Sequence, residues 1–265
     1  SQGFVVVAPD YPGLGSEMPH PYLVGQDTGR SVLDAVRAAR SISGAASGSQ
    51  FAVWGESQGG HAALWTGALA RTYAPDLTLV GTAAAAPPTD LAANFREGSD
   101  ANVRAMLTAF ATSSWSEHFG VPMTTAFNRA DGQIATRLAQ NNCIELGKKP
   151  RIGTILGVAA IKRALRNKDI TRIAPWSGYM RDNSVSAASV SGPLLIAQSV
   201  SDPVVSPRIT KDFARKVCRG RQPVRYIPIP GGDHGNSARD SAGATLAWIA
   251  DRFAGTRAPS DCGKI

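Results

Sequence analysis

A serine between two glycines is the residue of this chain best suited to nucleophilic chemistry. Residues 51–61 read Phe-Ala-Val-Trp-Gly-Glu-Ser-Gln-Gly-Gly-His, an apolar run that leads into Gly-x-Ser-x-Gly and then into a helical stretch. An attacking serine must sit on a turn tight enough to free its Oγ from the backbone, and glycines at 55 and 59 leave room for that turn. Alone the motif is weak, because the chain has 27 glycines and an ordinary strand-to-helix turn would look the same. Its place between a strand and a helix predicts Ser57 as a nucleophile.

A nucleophilic serine needs a base, and the chain has four histidines from which to draw one. His234 lies in a loop directly after a predicted strand at 224–229 and before a helix that runs to about residue 253. The carboxyl end of a strand is where open α/β sheets gather their chemistry, so His234 is the expected base. None of the other three ends a strand, and each is expected to be structural. They are His20, His61 and His118.

Two carboxylates compete to orient His234. Asp202 follows the predicted strand at 193–198, in Ser-Asp-Pro-Val-Val, and so also lies at the end of a strand. Asp233 is the sequence neighbour of the histidine, and a neighbour rarely reaches Nδ1 with suitable geometry. We therefore expect Asp202 to be the orienting acid, although an Asx-turn before Pro203 would account for the same residue.

Four segments together resemble a known family. They are Phe-Val-Val-Val-Ala-Pro-Asp-Tyr-Pro-Gly-Leu-Gly at residues 4–15, Gly-Glu-Ser-Gln-Gly-Gly-His, Ser-Asp-Pro-Val-Val and Gly-Asp-His-Gly. With the order Ser, Asp, His along the chain, they resemble actinobacterial members of the secretory lipase family, an α/β-hydrolase family. The resemblance covers essentially the whole chain. It implies hydrolysis of carboxylic esters, often acylglycerols, beneath a helical cap.

The resemblance also implies a role for each site residue. Ser57 would be the nucleophile, His234 the base and Asp202 its orienter. The backbone N–H of Gln58 would be one oxyanion donor, and Asp10, in the Asp-x-x-Gly loop, would form the other side of the oxyanion hole. No residue spacing implies a metal or an organic cofactor.

Strand and helix patterns alternate along the chain, which predicts a mostly parallel sheet covered by helices on both faces. Five strands are expected, at 4–9, 51–54, 79–85, 193–198 and 224–229. Helices are expected at 29–42, 58–72 and 207–219, with a last one ending near 253. Residues 1–87 and 191–265 would form the α/β-hydrolase core, and residues 88–190, with helical stretches at 102–112, 134–140 and 152–165, a cap or lid. The cap would shape the acyl pocket and open at a lipid surface, or it would be a static subdomain. Six of its residues are candidates for lining that pocket, namely Met106, Leu107, Phe110, Trp115, Ile155 and Leu156.

Five strands are few for this fold, because two or three more usually precede the one expected at 4–9. That strand would be left with an unpaired edge, which soluble proteins avoid. We therefore expect the chain to be the carboxyl-terminal product of a cut or truncated polypeptide that lacks its amino-terminal strands. Its own amino-terminal fragment is then an expected second chain.

Composition limits the classes of partner. The chain has 265 residues, is 43% hydrophobic and only 18% charged, which predicts a folded domain and argues against disorder. Its net charge is +8, yet the Lys and Arg residues are scattered, so nucleic acid is not an expected partner. An ester or lipid substrate is expected instead, with at most peripheral contact at lipid interfaces.

The three cysteines show no C-x-x-C spacing, which makes a zinc or redox site an unlikely use for them. We expect a secreted protein with one internal disulfide. A bridge between Cys218 and Cys262 is favoured, because it would fix the carboxyl terminus; the odd cysteine, Cys143, would then pair with the missing amino-terminal part or stay free.

Two other classes of function share these motifs. A Ser-Asp-His set does not determine which bond is cleaved, so a related acyltransferase, thioesterase or serine peptidase is one alternative. The other is an inactive fragment or binding module on the same scaffold. Reaction with a fluorophosphonate separates the second alternative from an enzyme, since only an assembled triad reacts.

Overall fold

The computed structural model describes residues 3–143 and 149–265. Within these residues there are four strands, β1 (Gln50–Glu56), β2 (Thr78–Ala85), β3 (Leu194–Ser199) and β4 (Val224–Ile229). The α-helices of the same residues are α1 (Gly25–Ser41), α2 (Gln58–Tyr73), α3 (Leu91–Glu97), α4 (Ala101–Phe119), α5 (Arg129–Asn141), α6 (Ile152–Ala164), α7 (Trp176–Asp182), α8 (Pro207–Arg219) and α9 (Ser237–Phe253).

The four strands form one parallel sheet in the order β1-β2-β3-β4. Side chains alternate between its two faces, and both faces are covered. Leu194 and Ile196 pack in a cluster with residues of α2 and α8, whereas Leu195 and Ala197 pack with Trp248 of α9. This double burial explains why β3 begins with four consecutive apolar residues. The predicted parallel sheet between helices is confirmed.

The strand predicted at residues 4–9 is wrong. The structure assigns no strand there, and β1, its expected neighbour, pairs with β2 alone. Val6 is 87% exposed, and Phe4 instead lies against Phe253 with ring centroids 5.2 Å apart. An apolar run becomes a strand only where its backbone groups form a ladder with a partner strand, and residues 4–9 form none in the described part of the chain.

The predicted core helices are confirmed with small shifts of their ends. The largest shift is in α1, which begins at Gly25 and not at residue 29. A Cβ on Gly25 would lie 2.1 Å from the Trp65 ring, so this glycine permits the close packing of α1 on α2. Glycine is a poor helix former, which hid this first turn from the sequence pattern.

Helices α3 to α7 lie between β2 and β3 and bury a hydrophobic cluster of their own. It includes Ala105, Trp115, Phe127, Ile161, Trp176 and Met180. The helical stretches predicted at 102–112, 134–140 and 152–165 lie in α4, α5 and α6. Leu23 and Val24, from the amino-terminal part of the chain, join the same cluster. The division into core and cap at residues 88 and 190 stays a prediction.

Cys218 and Cys262 form a disulfide, with their Cα atoms 5.4 Å apart, and Cys143 is free and exposed. The bridge joins the end of α8 to the carboxyl-terminal segment. Asp261 adds to this attachment, because its N–H donates to the Val224 carbonyl at 2.7 Å and its carboxylate accepts from Arg225. Among the described residues, no helix is long and apolar enough to cross a membrane.

Candidate active site

Ser57 is held in a strained turn between β1 and α2. Its φ of 54° and ψ of −116° are unfavourable for an L-residue. Its N–H donates to the Ala85 carbonyl of β2 at 2.9 Å, which ties the turn to the neighbouring strand. A Cβ on Gly55 would come within 2.2 Å of the Gly59 carbonyl oxygen, whereas one on Gly59 would meet only the Tyr11 hydroxyl at 3.9 Å. Glycine is therefore required at 55 for steric reasons, and the space at 59 does not demand it.

His234 approaches Ser57 from the loop after β4. It begins a short 3₁₀ turn, His234–Asn236, that leads into α9. Its Nε2 lies 2.7 Å from the Ser57 Oγ, and the residue is 9% exposed. The sequence position at the end of a strand thus puts this imidazole beside the serine hydroxyl, 177 residues earlier in the chain.

Asp202 lies on the other side of the imidazole. Its Oδ2 is 2.8 Å from Nδ1 of His234 and also accepts from the Gln198 amide at 2.9 Å. Its Oδ1 accepts from the backbone N–H groups of Val204 and Val205 at 2.8 and 2.9 Å. The carboxylate is therefore fixed by four contacts, and the Asx-turn expected before Pro203 is part of the same arrangement. The rival Asp233 is exposed.

The hydrogen bonds determine which ring nitrogen of His234 carries a proton. A carboxylate oxygen only accepts, so Nδ1 must be the N–H that donates to Asp202. Nε2 is then unprotonated and accepts from the Ser57 hydroxyl. This tautomer is the one required for His234 to take a proton from Ser57.

The N-terminus of α2 faces the same serine. Gln58 is the first residue of α2, so its N–H has no partner within the helix. Peptide dipoles of the helix add positive potential at this end. Such a donor is suited to an oxygen that becomes negative during a reaction.

The loop from residue 10 to residue 20 contacts this end of α2. Nε2 of His20 lies 2.8 Å from the side-chain nitrogen of Gln58, and Nδ1 of His20 lies 2.9 Å from the Pro12 carbonyl oxygen. Because that carbonyl only accepts, Nδ1 carries the proton and Nε2 accepts from Gln58. Tyr11 stacks on the His20 ring with centroids 6.2 Å apart, and burial raises the Tyr11 pKa. Asp10 itself is exposed at the start of this loop.

A cavity of about 760 Å³ opens beside the serine, which we name the acyl cavity. Ser57, Gln58 and His234 line it together with residues of α3, α4 and α6. Of the predicted lining residues, Met106, Leu107 and Ile155 do line it. The other three do not: Trp115 is buried in the hydrophobic cluster, Phe110 is buried with its ring centroid 6.0 Å from that of Tyr22, and Leu156 is 66% exposed. The helical periodicity of apolar residues alone could not show which side of each helix would face the cavity.

Sequence reasoning missed three residues that support the site. Gln198 is fully buried and donates to Asp202, and Glu56 accepts from the Ala238 N–H at 3.0 Å, which joins the serine turn to the start of α9. His20, expected to be structural, contacts Gln58. For Gln198 the sequence did contain a signal, because this polar residue directly follows the apolar residues of β3. The other two depend on contacts between distant segments.

The two remaining histidines take no part in this arrangement. His61 is completely buried, with Nε2 2.7 Å from the Asn183 carbonyl oxygen, and His118 lies 3.8 Å from an Asp27 carboxylate oxygen. In the described part of the chain, no group of three or more His, Cys, Asp and Glu side chains is arranged to hold a metal ion.

Comparison with known proteins identifies one matching family model. The model described as secretory lipase matches residues 1–261. Lipase 4 of Candida albicans is 27% identical over 273 residues, which cover 98% of this chain and 58% of that protein. A Mycobacterium tuberculosis protein named probable inactive lipase is also 27% identical, over 96% of this chain and 56% of its own length. The chain therefore spans less than two thirds of these relatives.

Solved structures with the same fold include two that cover nearly all of this chain. Candida antarctica lipase A superposes with a TM-score of 0.71 at 20% identity, over 92% of this chain and 58% of its own. The rice cell wall degrading esterase LipA from Xanthomonas oryzae superposes with a TM-score of 0.65 at 18% identity, over 93% of this chain and 71% of its own. At these identities the likeness is one of fold, and it identifies an α/β-hydrolase fold.

Proposed function

The chain belongs to the secretory lipase family, and from that premise we propose that it is a serine carboxylic-ester hydrolase that works through an acyl-enzyme on Ser57. The observation that carries the proposal is the continuous hydrogen-bonded line from Asp202 through His234 to Ser57, with contacts of 2.8 and 2.7 Å. Each contact has the direction that general-base activation of a serine requires.

The reaction has two halves. Ser57 Oγ bonds to the ester carbonyl carbon while its proton passes to Nε2 of His234, and Asp202 stabilises the resulting imidazolium. The tetrahedral intermediate collapses when the carbon–oxygen bond to the alcohol breaks, and His234 gives its proton to that leaving oxygen. Water then attacks the acyl-enzyme with His234 again as base, which releases the acid and restores Ser57.

The negative oxygen of each tetrahedral intermediate needs donors in fixed positions. We assign one to the Gln58 N–H, which is free at the start of α2. The second side of the oxyanion hole is assigned to Asp10. The loop that Asp10 begins contacts Gln58 through His20, which supports this assignment.

An ester with an apolar acyl chain is the substrate class that suits the acyl cavity. Its wall contains Val103, Met106, Leu107, Ile155 and Val158. Beside it, α6 exposes Ile152, Ile155 and Leu156, with Ile152 78% exposed. This apolar face at the cavity mouth supports peripheral contact with lipid interfaces, and a cap of residues 88–190 that shapes the acyl pocket.

A secreted, extracellular location is part of the proposal. The family is one of secretory lipases, and the disulfide between Cys218 and Cys262 is typical of proteins that fold in an oxidising compartment. An amino-terminal fragment as a second chain stays a prediction.

A non-enzymatic role is the strongest alternative, because one relative is named probable inactive lipase. A binding module would not need Ser57 to react. An acyltransferase, thioesterase or serine peptidase would use the same three residues on a different bond or acceptor.

The deciding experiment combines labelling with turnover. A fluorophosphonate probe should label the wild-type chain and not Ser57→Ala, and p-nitrophenyl ester hydrolysis should fall by at least about ten thousandfold in Ser57→Ala. His234→Gln should lose comparable activity, while His118→Gln, a matched change at a partly exposed histidine, should keep it. Assays of the same sample with thioester substrates, peptide substrates and alcohol acceptors distinguish a thioesterase, a serine peptidase and an acyltransferase from an ester hydrolase. Absence of labelling in a folded wild-type chain would favour the binding module.

A further inference from the structure

A second cavity lies on the helical insertion, and its wall is strongly cationic. It has a volume of about 350 Å³, near the lower end of the range of small-ligand sites. Five of the residues that line it are Arg or Lys, namely Arg96, Arg104, Lys162, Arg166 and Lys168. We call it the cationic pocket. Among the described residues that line it, Asp169 is the one acidic residue.

The Asp169 carboxylate contacts neighbours other than the five cations of the pocket. Its Oδ1 accepts from the Thr171 backbone N–H at 3.0 Å and the Thr171 hydroxyl at 2.5 Å, and its Oδ2 lies 3.3 Å from Arg172. Asp169 therefore stabilises the loop after α6, and its charge is shared with Arg172, which does not line the pocket.

The five cations of the pocket have no carboxylate partner among the residues that the structure describes. Elsewhere on the surface, arginines do form such pairs. Arg37 bridges Asp34 and Asp76, and Arg208 bridges Glu97 and Asp212. Gathering five like charges around one cavity raises the electrostatic energy, and an anion in the cavity would lower it.

Most of the donors on these cations also have no hydrogen-bond partner among the described residues. Arg104 donates one N–H to the Gly98 carbonyl, Lys162 donates to the Asn102 side chain at 2.9 Å, and Arg96 reaches Thr171 only at 3.5 Å. A guanidinium has five N–H donors and an ammonium three, so each keeps donors for a ligand.

One buried polar group in the wall points to a ligand independently of charge. Thr108 lines the pocket and is 2% exposed, and its hydroxyl makes no hydrogen bond to any other described residue. The other buried threonine of α4 differs: the Thr112 hydroxyl donates to the Thr108 carbonyl at 2.7 Å. A ligand oxygen in the pocket would accept a hydrogen bond from this hydroxyl.

We propose that the cationic pocket is a binding site for a phosphate group, carried either by free phosphate or by a lipid headgroup. Phosphate is favoured over a carboxylate because it carries nearly two negative charges at neutral pH and offers oxygens to several guanidinium forks at once. Arg104 also lines the acyl cavity, so the proposed phosphate would lie next to the space assigned to substrate. The site does not depend on the reactivity of Ser57.

The first test is calorimetric titration of inorganic phosphate into the full chain at low ionic strength in a buffer free of phosphate. Arg96→Gln combined with Arg166→Gln should weaken binding by about tenfold or more. Lys216→Gln combined with Arg219→Gln removes the same charge from exposed positions of α8 and should leave the affinity unchanged. Thr108→Val should weaken binding severalfold, and Thr108→Ser, which keeps the hydroxyl, should not.

A second arm identifies the source of the phosphate. Vesicles of phosphatidylcholine with and without phosphatidic acid are sedimented with the Ser57→Ala chain, so that ester hydrolysis does not consume the probe. Tight binding of inorganic phosphate supports a free ion as the ligand. Weak binding of the ion, together with capture by phosphatidic acid vesicles that the Arg96 and Arg166 changes abolish, supports a lipid headgroup. If neither probe binds saturably, or if the α8 control loses as much binding as the pocket variant, the proposal is wrong.

Discussion

His61 and His234 show how differently one residue type behaves when its surroundings change. His234 contacts a carboxylate on one side and a hydroxyl on the other. His61, only four residues after Ser57, is completely buried and contacts the Asn183 carbonyl through Nε2. Trp65 donates to that carbonyl as well, at 3.1 Å, and Nδ1 of His61 is buried without a partner. Closeness to the nucleophile in sequence is therefore no guide to a role in the site.

This burial makes stability depend on pH. Desolvation lowers the His61 pKa from 6.5 to about 4, and the Asn183 hydrogen bond opposes that change only in part. Between these values the unfolded chain binds a proton at His61 and the folded chain does not, so the free energy of unfolding falls as the pH falls. The loss between pH of about 7 and about 4.5 should be roughly 2 to 3 kcal/mol.

Urea denaturation at the two pH values measures this effect. His61→Gln cannot titrate and should show a smaller pH-dependent loss than the wild type, whatever its absolute stability. His118→Gln, at a partly exposed site, should retain the wild-type loss. Equal pH dependence in His61→Gln and the wild type would contradict the prediction that His61 causes the loss of stability at low pH.

Among the secondary structure elements, the turn from β1 to α2 is the most constrained. It holds Ser57 at a positive φ, and the backbones of Gly55 and Gly59 are in contact there. Glu56 then joins this turn to α9, which begins directly after the His234 loop. The elements that carry Ser57 and His234 are thus attached to each other close to the site.

Two alanine substitutions in this turn should have opposite outcomes. Gly55→Ala places a methyl group 2.2 Å from a backbone carbonyl oxygen and should lower the free energy of unfolding by roughly 2 to 4 kcal/mol. It should also remove most of the esterase activity. Gly59→Ala meets only the Tyr11 hydroxyl at 3.9 Å and gains helix propensity, so its stability should equal or exceed that of the wild type.

Chemical denaturation and p-nitrophenyl butyrate hydrolysis compare the two variants directly. Comparable losses of stability and activity in both variants would show that glycine is required at position 59 for steric reasons as well. A fully stable and active Gly55→Ala chain would show that the turn relaxes more easily than its backbone contact indicates.

At the scale of the whole molecule, the acyl cavity forms where the carboxyl edge of the sheet meets the helices between β2 and β3. The sheet provides Ser57 and His234 at its carboxyl edge, while α4 and α6 provide the apolar wall. The hydrophobic cluster of α3 to α7, which Leu23 and Val24 join, packs those helices against one another. Acyl-chain preference should therefore respond to changes in the insertion that leave the triad untouched.

Ala159→Trp tests this division of roles. Ala159 lines the acyl cavity from α6, so a larger side chain should shorten the space available to an acyl chain. The kcat/KM for p-nitrophenyl octanoate relative to the acetate should fall about tenfold, with little change for the acetate. Leu156→Trp adds bulk on the same helix outside the cavity and should leave the ratio unchanged. A fall in both substrates alike would indicate damage to the catalytic residues instead.

Much of the fold was predictable because it depends on local pattern. Strand-to-helix alternation indicated the parallel sheet, and residues at strand ends indicated Ser57, Asp202 and His234, since parallel strands bring their carboxyl ends to one edge. The strand at residues 4–9 failed for the complementary reason. Its side chains favour an extended chain, but a strand also needs a partner, and pairing is not a property of the segment itself.

The sequence by itself determined the chemistry available to this protein: a serine on a tight turn, a histidine and a carboxylate at strand ends, and two cysteines suited to fixing a terminus. Only the tertiary structure decided which nitrogen of His234 carries a proton and which residue supports Asp202. It also decided which helix faces line the acyl cavity, and it brought five cations from separate parts of the sequence around one pocket. Those features depend on distances between residues that lie far apart in the chain. Local pattern encodes which residues are buried, whereas packing alone determines which of them meet.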